Sequence, residues 1–247
     1  MGVRLKAFKG IFWVCFCSVA LTAIAYAGNK QIMTIKAAKV LAERVLVESI
    51  YGLKIRAEEE VVNMIAASFV GKTESKTSAL IKGVNFEDIV YDADKDLARV
   101  TASVSLPSIT NIDGKVIDLK NKVFRRVAFA TSTPSTASAI QALRAAEIDA
   151  YKELAKRLLG FTLESKTTVD NYLLTSDVVK TKLLATVYLA ELTDYGWNDN
   201  GNAYVKLRLN IKEVSDILGE AIVDNREVLE VEGQGSQVND FKTANEK

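Results

Sequence analysis

Residues 145–181 read AAEIDAYKELAKRLLGFTLESKTTVDNYLLTSDVVKT, and residues 37–73, 108 positions earlier, carry a second version of the same stretch without a gap. The identical pairs are Ala37/Ala145, Ala38/Ala146, Ala42/Ala150, Leu46/Leu154, Gly52/Gly160, Val61/Val169, Asn63/Asn171, Ser68/Ser176, Val70/Val178, Lys72/Lys180 and Thr73/Thr181. Average residue usage gives roughly two such matches by chance in a window of this length. The echo resumes downstream, where Ala98-Arg99-Val100 to Leu106 lies on Ala203-Tyr204-Val205 to Ile211 after three residues are dropped. The pattern predicts a duplicated module. Two copies are too few for a stacked solenoid, so each must own a core or share one with its twin.

Within each copy the apolar spacing begins as a helix. Ala38, Ala42, Leu46 and Ile50 form one stripe, flanked by Leu41 and Val45, with Lys39, Glu43, Arg44 and Glu48 away from it. Ala146, Ala150, Leu154 and Leu158 repeat the stripe, small residues first and large ones last. Such a taper lets the first turns sit close against a sheet while the last turns fill space. Gly52 and Gly160 are expected as left-handed helix C-caps.

After each glycine an alternating segment predicts a strand, Leu53 to Val61 and Phe161 to Val169, followed in the second copy by a short helix around Ser176 to Leu184. A hairpin closes each copy. Val84 to Tyr91 and Leu97 to Leu106 flank an aspartate-rich turn, and Ala185 to Trp197 and Ala203 to Ile211 flank Asn198-Asp199-Asn200-Gly201. The expected fold class is α+β, two copies of a helix-plus-antiparallel-sheet module. Between them, residues 107–136 carry the Asp113-Gly114 turn and a strand-like Val123 to Thr131, too apolar for a free linker.

Residues 1–27 have the grammar of an export signal. Arg4, Lys6 and Lys9 precede the apolar run Ile11 to Thr22, and Ala25-Tyr26-Ala27 is a small-residue cleavage site. The uncharged run from Ile11 to Ala27 is 17 residues, short of the ~20 that span a bilayer. The expected division is therefore a signal peptide (1–27), a first module (28–106), a stranded connector (107–136), a second module (137–223) and a mobile polar tail (224–247). Cleavage moves the formal charge from +1 to −2, which offers no basic field for nucleic acid. It also removes Cys15 and Cys17, leaving a chain with neither cysteine nor histidine. Neither cysteine follows a small residue, so neither suits lipid attachment.

That composition excludes a Ser-His-Asp triad, a thiol nucleophile and the usual zinc ligands. Gly71-Lys72-Thr73 resembles the end of a phosphate loop, but Ala66 stands where its first glycine belongs. Asp92, Asp94 and Asp96 have calcium-loop spacing, yet Leu97 and Ser103 occupy the positions of the turn glycine and the bidentate carboxylate. Glu58-Glu59-Glu60 reads as a solvated face. Glu164-Ser165-Lys166 and Glu74-Ser75-Lys76 put serine beside lysine, and neighbours on a strand point to opposite faces. No catalytic, cofactor-binding or metal-binding residue is expected, and no cofactor.

The alanine-spaced helix ending in Gly160, with Leu163-Glu164-Ser165-Lys166-Thr167-Thr168-Val169 after it, resembles the module of a bacterial envelope lipoprotein family that includes flagellar assembly protein P. Similar modules occur in the N-terminal part of flagellar assembly protein T. The resemblance is best over Ala137 to Ile211 and weaker over Ala37 to Leu106. It implies a compact α+β module in the periplasm or at the outer membrane, used in rings or disks around the flagellar motor, with no catalytic residues. The expectation is thus a non-enzymatic exported structural protein that forms a homo-oligomer or joins an envelope assembly through its sheet edges, without a transmembrane helix in the mature chain. The alternative is a monomeric binding module for a small ligand or peptidoglycan fragment, with Tyr188, Tyr195, Trp197 and Tyr204 as an aromatic platform.

Overall fold

The computed structural model describes residues 29–53, 83–111 and 113–236. The expected export signal, the strand after Leu53, Glu58-Glu59-Glu60, Gly71-Lys72-Thr73 and Glu74-Ser75-Lys76 lie outside the described residues. A first helix, α1, covers residues 29–53. Strands β1 (Asn85–Asp92), β2 (Leu97–Thr110) and β3 (Val116–Ala130) form an antiparallel meander in that order. A 3-10 turn, Pro134–Thr136, leads into α2 (Ala137–Leu159), α3 (Val169–Leu173) and α4 (Asp177–Val187). Then come β4 (Glu191–Trp197), β5 (Ala203–Asn210), α5 (Ile211–Leu218) and β6 (Val228–Gly235), with β4-β5-β6 as a second antiparallel sheet. The fold is α+β, and one hydrophobic cluster runs through both halves. Among the described residues no helix is long and apolar enough to cross a membrane.

The helical stripes are where the spacing puts them. Ala38, Ala42 and Leu46 on α1, and Ala146, Ala150, Leu154 and Leu158 on α2, are fully buried. For α2 the reason for the small residues is visible. A Cβ built on Gly233 of β6 would collide with the Ala150 nitrogen and the Ala146 oxygen and lie 2.7 Å from the Ala150 Cα. One on Gly235 would collide with the Ala142 oxygen and lie 2.6 Å from the Ala146 nitrogen. Helix backbone rests directly on strand backbone, and only alanine facing glycine permits that approach.

This contact corrects the expectation of a mobile tail from residue 224. Asp224 accepts from the Arg226 Nη2 at 2.6 Å in the turn before β6, and β6 then pairs with β5 from Val228 to Gly235. Its core-facing positions are Leu229, Val231, Gly233 and Gly235. Two of the four are glycines because the helix occupies their side-chain space, so the strand carries little apolar weight. The connector's strands extend the first sheet, in keeping with its apolar composition. Residues 107–110 continue β2 past Pro107, with a register shift between Leu106 and Ser108 that accommodates the missing N–H, and β3 is a full member of the first sheet.

Three local expectations change. Gly160 has φ −77, an ordinary right-handed value, and Gly52 lies within the helical residues of α1; a left-handed cap belongs instead to Gly219 at the end of α5, with φ +81. Phe161 to Val169 is no strand. It folds into a tight turn with Lys166 at φ +66 and the Leu163 N–H donating to the Thr167 carbonyl at 2.8 Å. The strand expected from Ala185 starts only at Glu191, because α4, capped by the Ser176 side chain, runs on to bury Leu183, Leu184 and Val187.

The two halves meet where β3 passes β4. Arg126 of β3 is 1% exposed; its Nε donates to Ser49 Oγ on α1 at 2.9 Å, and its Nη1 donates to the Tyr151 hydroxyl on α2 at 2.8 Å and to the Tyr188 carbonyl at 3.0 Å. Its guanidinium lies 4.8 and 4.6 Å from the Tyr151 and Tyr188 ring centroids. Arg125 reaches Glu87 of β1 at 3.2 Å, across β2, and Glu191 of β4 at 3.5 Å.

Gly233→Ala is expected to lower the unfolding free energy by about 2 kcal/mol or more, because backbone must move. Gly160→Ala, whose Cβ meets nothing closer than 3.6 Å, should stay within about 0.5 kcal/mol of the parent. Urea unfolding followed by circular dichroism checks both, and equal losses would remove the close-packing argument. Arg126→Ala should cost about 3–5 kcal/mol in the same assay by leaving buried partners unanswered, and Arg126→Lys should recover only part, since an ammonium cannot reproduce the planar fork.

Candidate functional site

A cleft of about 820 Å3 opens between the β1–β2 end of the first half and the β4–β5 end of the second. Its size is in the range of small-molecule sites. On one side stand Asp92, Asp94, Lys95 and Arg99; on the other Tyr195, Trp197 and Tyr204; Thr133, Ser135 and Thr136, from the loop into α2 and its 3-10 turn, line a third part.

The cleft is anchored by Asp96, at φ +48 in the β1–β2 turn and 3% exposed. Its Oδ1 accepts from Thr34 Oγ1 of α1 at 2.8 Å and from the Tyr91 hydroxyl at 3.1 Å. Its Oδ2 accepts from Ser132 Oγ and Thr133 Oγ1, both at 2.8 Å, and from the Ser132 N–H at 3.1 Å, with Lys30 Nζ at 3.6 Å. Burial acts to raise the Asp96 pKa, but the hydrogen bonds from Ser132, Thr133, Thr34 and Tyr91 win and hold the carboxyl well below the usual carboxylate range. Asp92 serves the turn instead. Its Oδ1 accepts from the Asp94 and Lys95 N–H groups at 3.0 and 3.1 Å and so fixes the shape of the chain there. The three aspartates with calcium-loop spacing are thus used as a turn former, a rim residue and a buried hub. Among the described residues no group of three or more Asp, Glu, His or Cys is placed to hold a metal.

The aromatic wall is held rigidly. Trp197 Nε1 donates to the Ala139 carbonyl of α2 at 3.2 Å, and Tyr195 packs on Phe129 with centroids 4.7 Å apart. Tyr204 lies across Gly196, where an added Cβ would come within 2.8 Å of its hydroxyl. Of the four aromatic residues expected to form a platform, Tyr195, Trp197 and Tyr204 line the cleft, whereas Tyr188 is buried against Arg126.

Arg99 was not legible as a site residue. It stands on the outer face of β2, between the buried Ala98 and Val100, and the alternation alone predicts solvent there. The second sheet puts the Tyr195 ring 5.6 Å from its guanidinium, and its Nε is buried with no hydrogen-bond partner.

A smaller cavity of about 300 Å3 at the seam is lined by Asp88, Arg125, Glu147, Tyr151 and Glu191 among others. Buried Glu147 is answered there by Arg144 at 2.6 Å, and Tyr151 is pushed up to about 12 by burial, against the pull of the Arg126 cation. The other residues singled out in the sequence have local roles: Thr181 Oγ1 donates to the Asp177 carbonyl at 2.9 Å, and the Ser165 N–H donates to Glu220 at 2.8 Å.

No family model matches the chain, and no curated protein or solved structure matches it.

The depressed Asp96 pKa carries a pH dependence. A folded-state pKa below the unfolded value near 4 adds stability that is present above about pH 4 and is lost as pH falls toward the folded pKa. Asp96→Asn should therefore be less stable than the parent by about 2 kcal/mol at pH 6, and the gap should narrow at pH 3. Urea unfolding at both pH values measures it; a gap that does not change with pH would show that the Asp96 charge is not what the hub stabilises.

Proposed function

We propose that this chain is an exported, non-enzymatic binding protein of the bacterial envelope, in which two copies of one module face each other across a ligand cleft. The observation that carries the reading is the cleft of about 820 Å3, with charged residues from the first sheet on one side and braced aromatic rings from the second on the other. The duplication is supported by the 108-residue echo, by the burial of Ala38, Ala42 and Leu46 alongside Ala146, Ala150 and Leu154, and by a helix preceding a three-stranded antiparallel sheet in each half. Export is supported by the basic, apolar and Ala25-Tyr26-Ala27 segments, and the periplasm is the compartment they point to.

A second reading is a homo-oligomeric component of an envelope assembly, the flagellar ring or disk of the resemblance. One observation favours it: β1 is an edge strand with Phe86, Ile89 and Val90 exposed. The geometry around the other edges favours binding instead. On β6 the Gln234 N–H donates to Asp149 at 3.0 Å and the Glu230 carbonyl accepts from Arg157 at 3.4 Å, so α2 covers that edge. The β3 and β4 edges face each other at the Arg125–Glu191 contact. β1 itself is interrupted near Asp88, at φ +47, by a register shift of the kind that discourages edge pairing.

Light scattering of the full chain over a hundredfold concentration range separates the readings. A monomer at every concentration is the expected result; a discrete large ring would transfer the weight to the assembly reading and to β1.

A further inference from the structure

We propose that the cleft binds an acidic oligosaccharide, with its sugar rings on the aromatic wall and one carboxylate on Arg99. The inference rests on the binding-module reading and names its ligand class. Arg99 is the starting point. Lys30 is paired with Asp96 at 3.6 Å and Lys95 with Asp92 at 3.9 Å. Among the described residues Arg99 has no carboxylate partner, and its Nε is buried without an acceptor. A half-desolvated guanidinium is the group best matched to a planar carboxylate, and a carboxylate there supplies what the fold leaves out.

The aromatic rings set the rest of the ligand. Trp197 is held by the Ala139 carbonyl, Tyr195 by Phe129, and Tyr204 lies across Gly196, so three ring surfaces are fixed before any ligand arrives. Fixed aromatic faces suit the apolar C–H faces of sugar rings at little entropic cost. Asp94 forms no ion pair among the described residues and stands with Ser135 at the rim, where both can bond ligand hydroxyls. The volume exceeds what one small ring fills, which points to an oligomer rather than a lone aromatic acid. A multiply charged phosphate ligand fits poorly, because Asp92, Asp94 and Asp96 share the wall with Arg99.

The test uses the full chain carrying Trp13→Phe, which leaves Trp197 as its single tryptophan and places the fluorophore in the cleft. The probes are aldotriouronic acid, a trisaccharide with a single carboxylate, its neutral methyl ester and phenylacetate, titrated by tryptophan fluorescence and calorimetry. The acid should bind at least tenfold more tightly than the ester. Its affinity should fall with added salt while that of the ester does not. Arg99→Met should bring the acid down to the level of the ester, leaving the ester unchanged; the salt comparison needs no variant and stands if that one fails to fold. Equal binding of acid and ester, without salt dependence, overturns the acidic class but leaves the binding reading in place. Tighter binding of phenylacetate than of either sugar overturns the saccharide class alone. Silence from all three probes in both measurements overturns the ligand class, and with a large ring in light scattering the binding reading falls too.

Discussion

The burial of the Arg126 charge is the constraint on which the arrangement of the two halves depends. A guanidinium in a hydrophobic core is tolerable only if its donors and its faces are answered. Here Ser49 comes from α1, the Tyr151 hydroxyl from α2 and the Tyr188 carbonyl from the end of α4, while the rings of Tyr151 and Tyr188 flank the cation. These partners are distributed over both halves. Sliding one half against the other would break several of these contacts at once, which gives the seam between β3 and β4 a definite register although no strand ladder crosses it.

Asp96 does for the cleft what Arg126 does for the core. It collects donors from α1, from β1 and from the loop that enters α2, so one carboxylate ties together three segments far apart in the chain. The two hubs differ in chemistry. Arg126 relies on planar stacking and a fork of donors, whereas Asp96 is an acceptor saturated by hydroxyls, and its charge survives burial because those hydroxyls replace its water. Between them the hubs leave Arg99 and the aromatic wall lining one cleft, with the Tyr195 ring 5.6 Å from the Arg99 guanidinium.

Much of the local architecture was legible because it is written in periodicity. The alanine-leucine stripes, the hairpin turn at Asn198 to Gly201, the turn at Gly114 and the start of α2 after Pro134 all follow from short-range geometry. β6 was not legible, for a specific reason. Its core-facing residues include Gly233 and Gly235, which composition assigns to loops, and only the α2 backbone lying on them explains why glycine is required. Phe161 to Val169 misled in the opposite way: its alternation is real, with Leu163 and Val169 fully buried, but a turn between them, not a strand, puts both inside. Of the site, Tyr195, Trp197 and Tyr204 were visible as a cluster of strand aromatics, while Tyr188 could not be separated from them until Arg126 claimed it.

By itself the amino-acid sequence determined the fold class, the helical faces, the hairpins and the absence of histidine or of cysteine beyond residue 17, because spacing and composition act over a few residues and need no partner. Tertiary structure alone decided that residues 228–235 complete a sheet, that Arg126 is buried while Arg99 lines a cleft, and that Asp96 is a buried hydrogen-bonding hub. Those outcomes depend on which distant groups arrive beside a residue. Burial, charge pairing and close approach are properties of such pairs, and a linear chain does not name the second member.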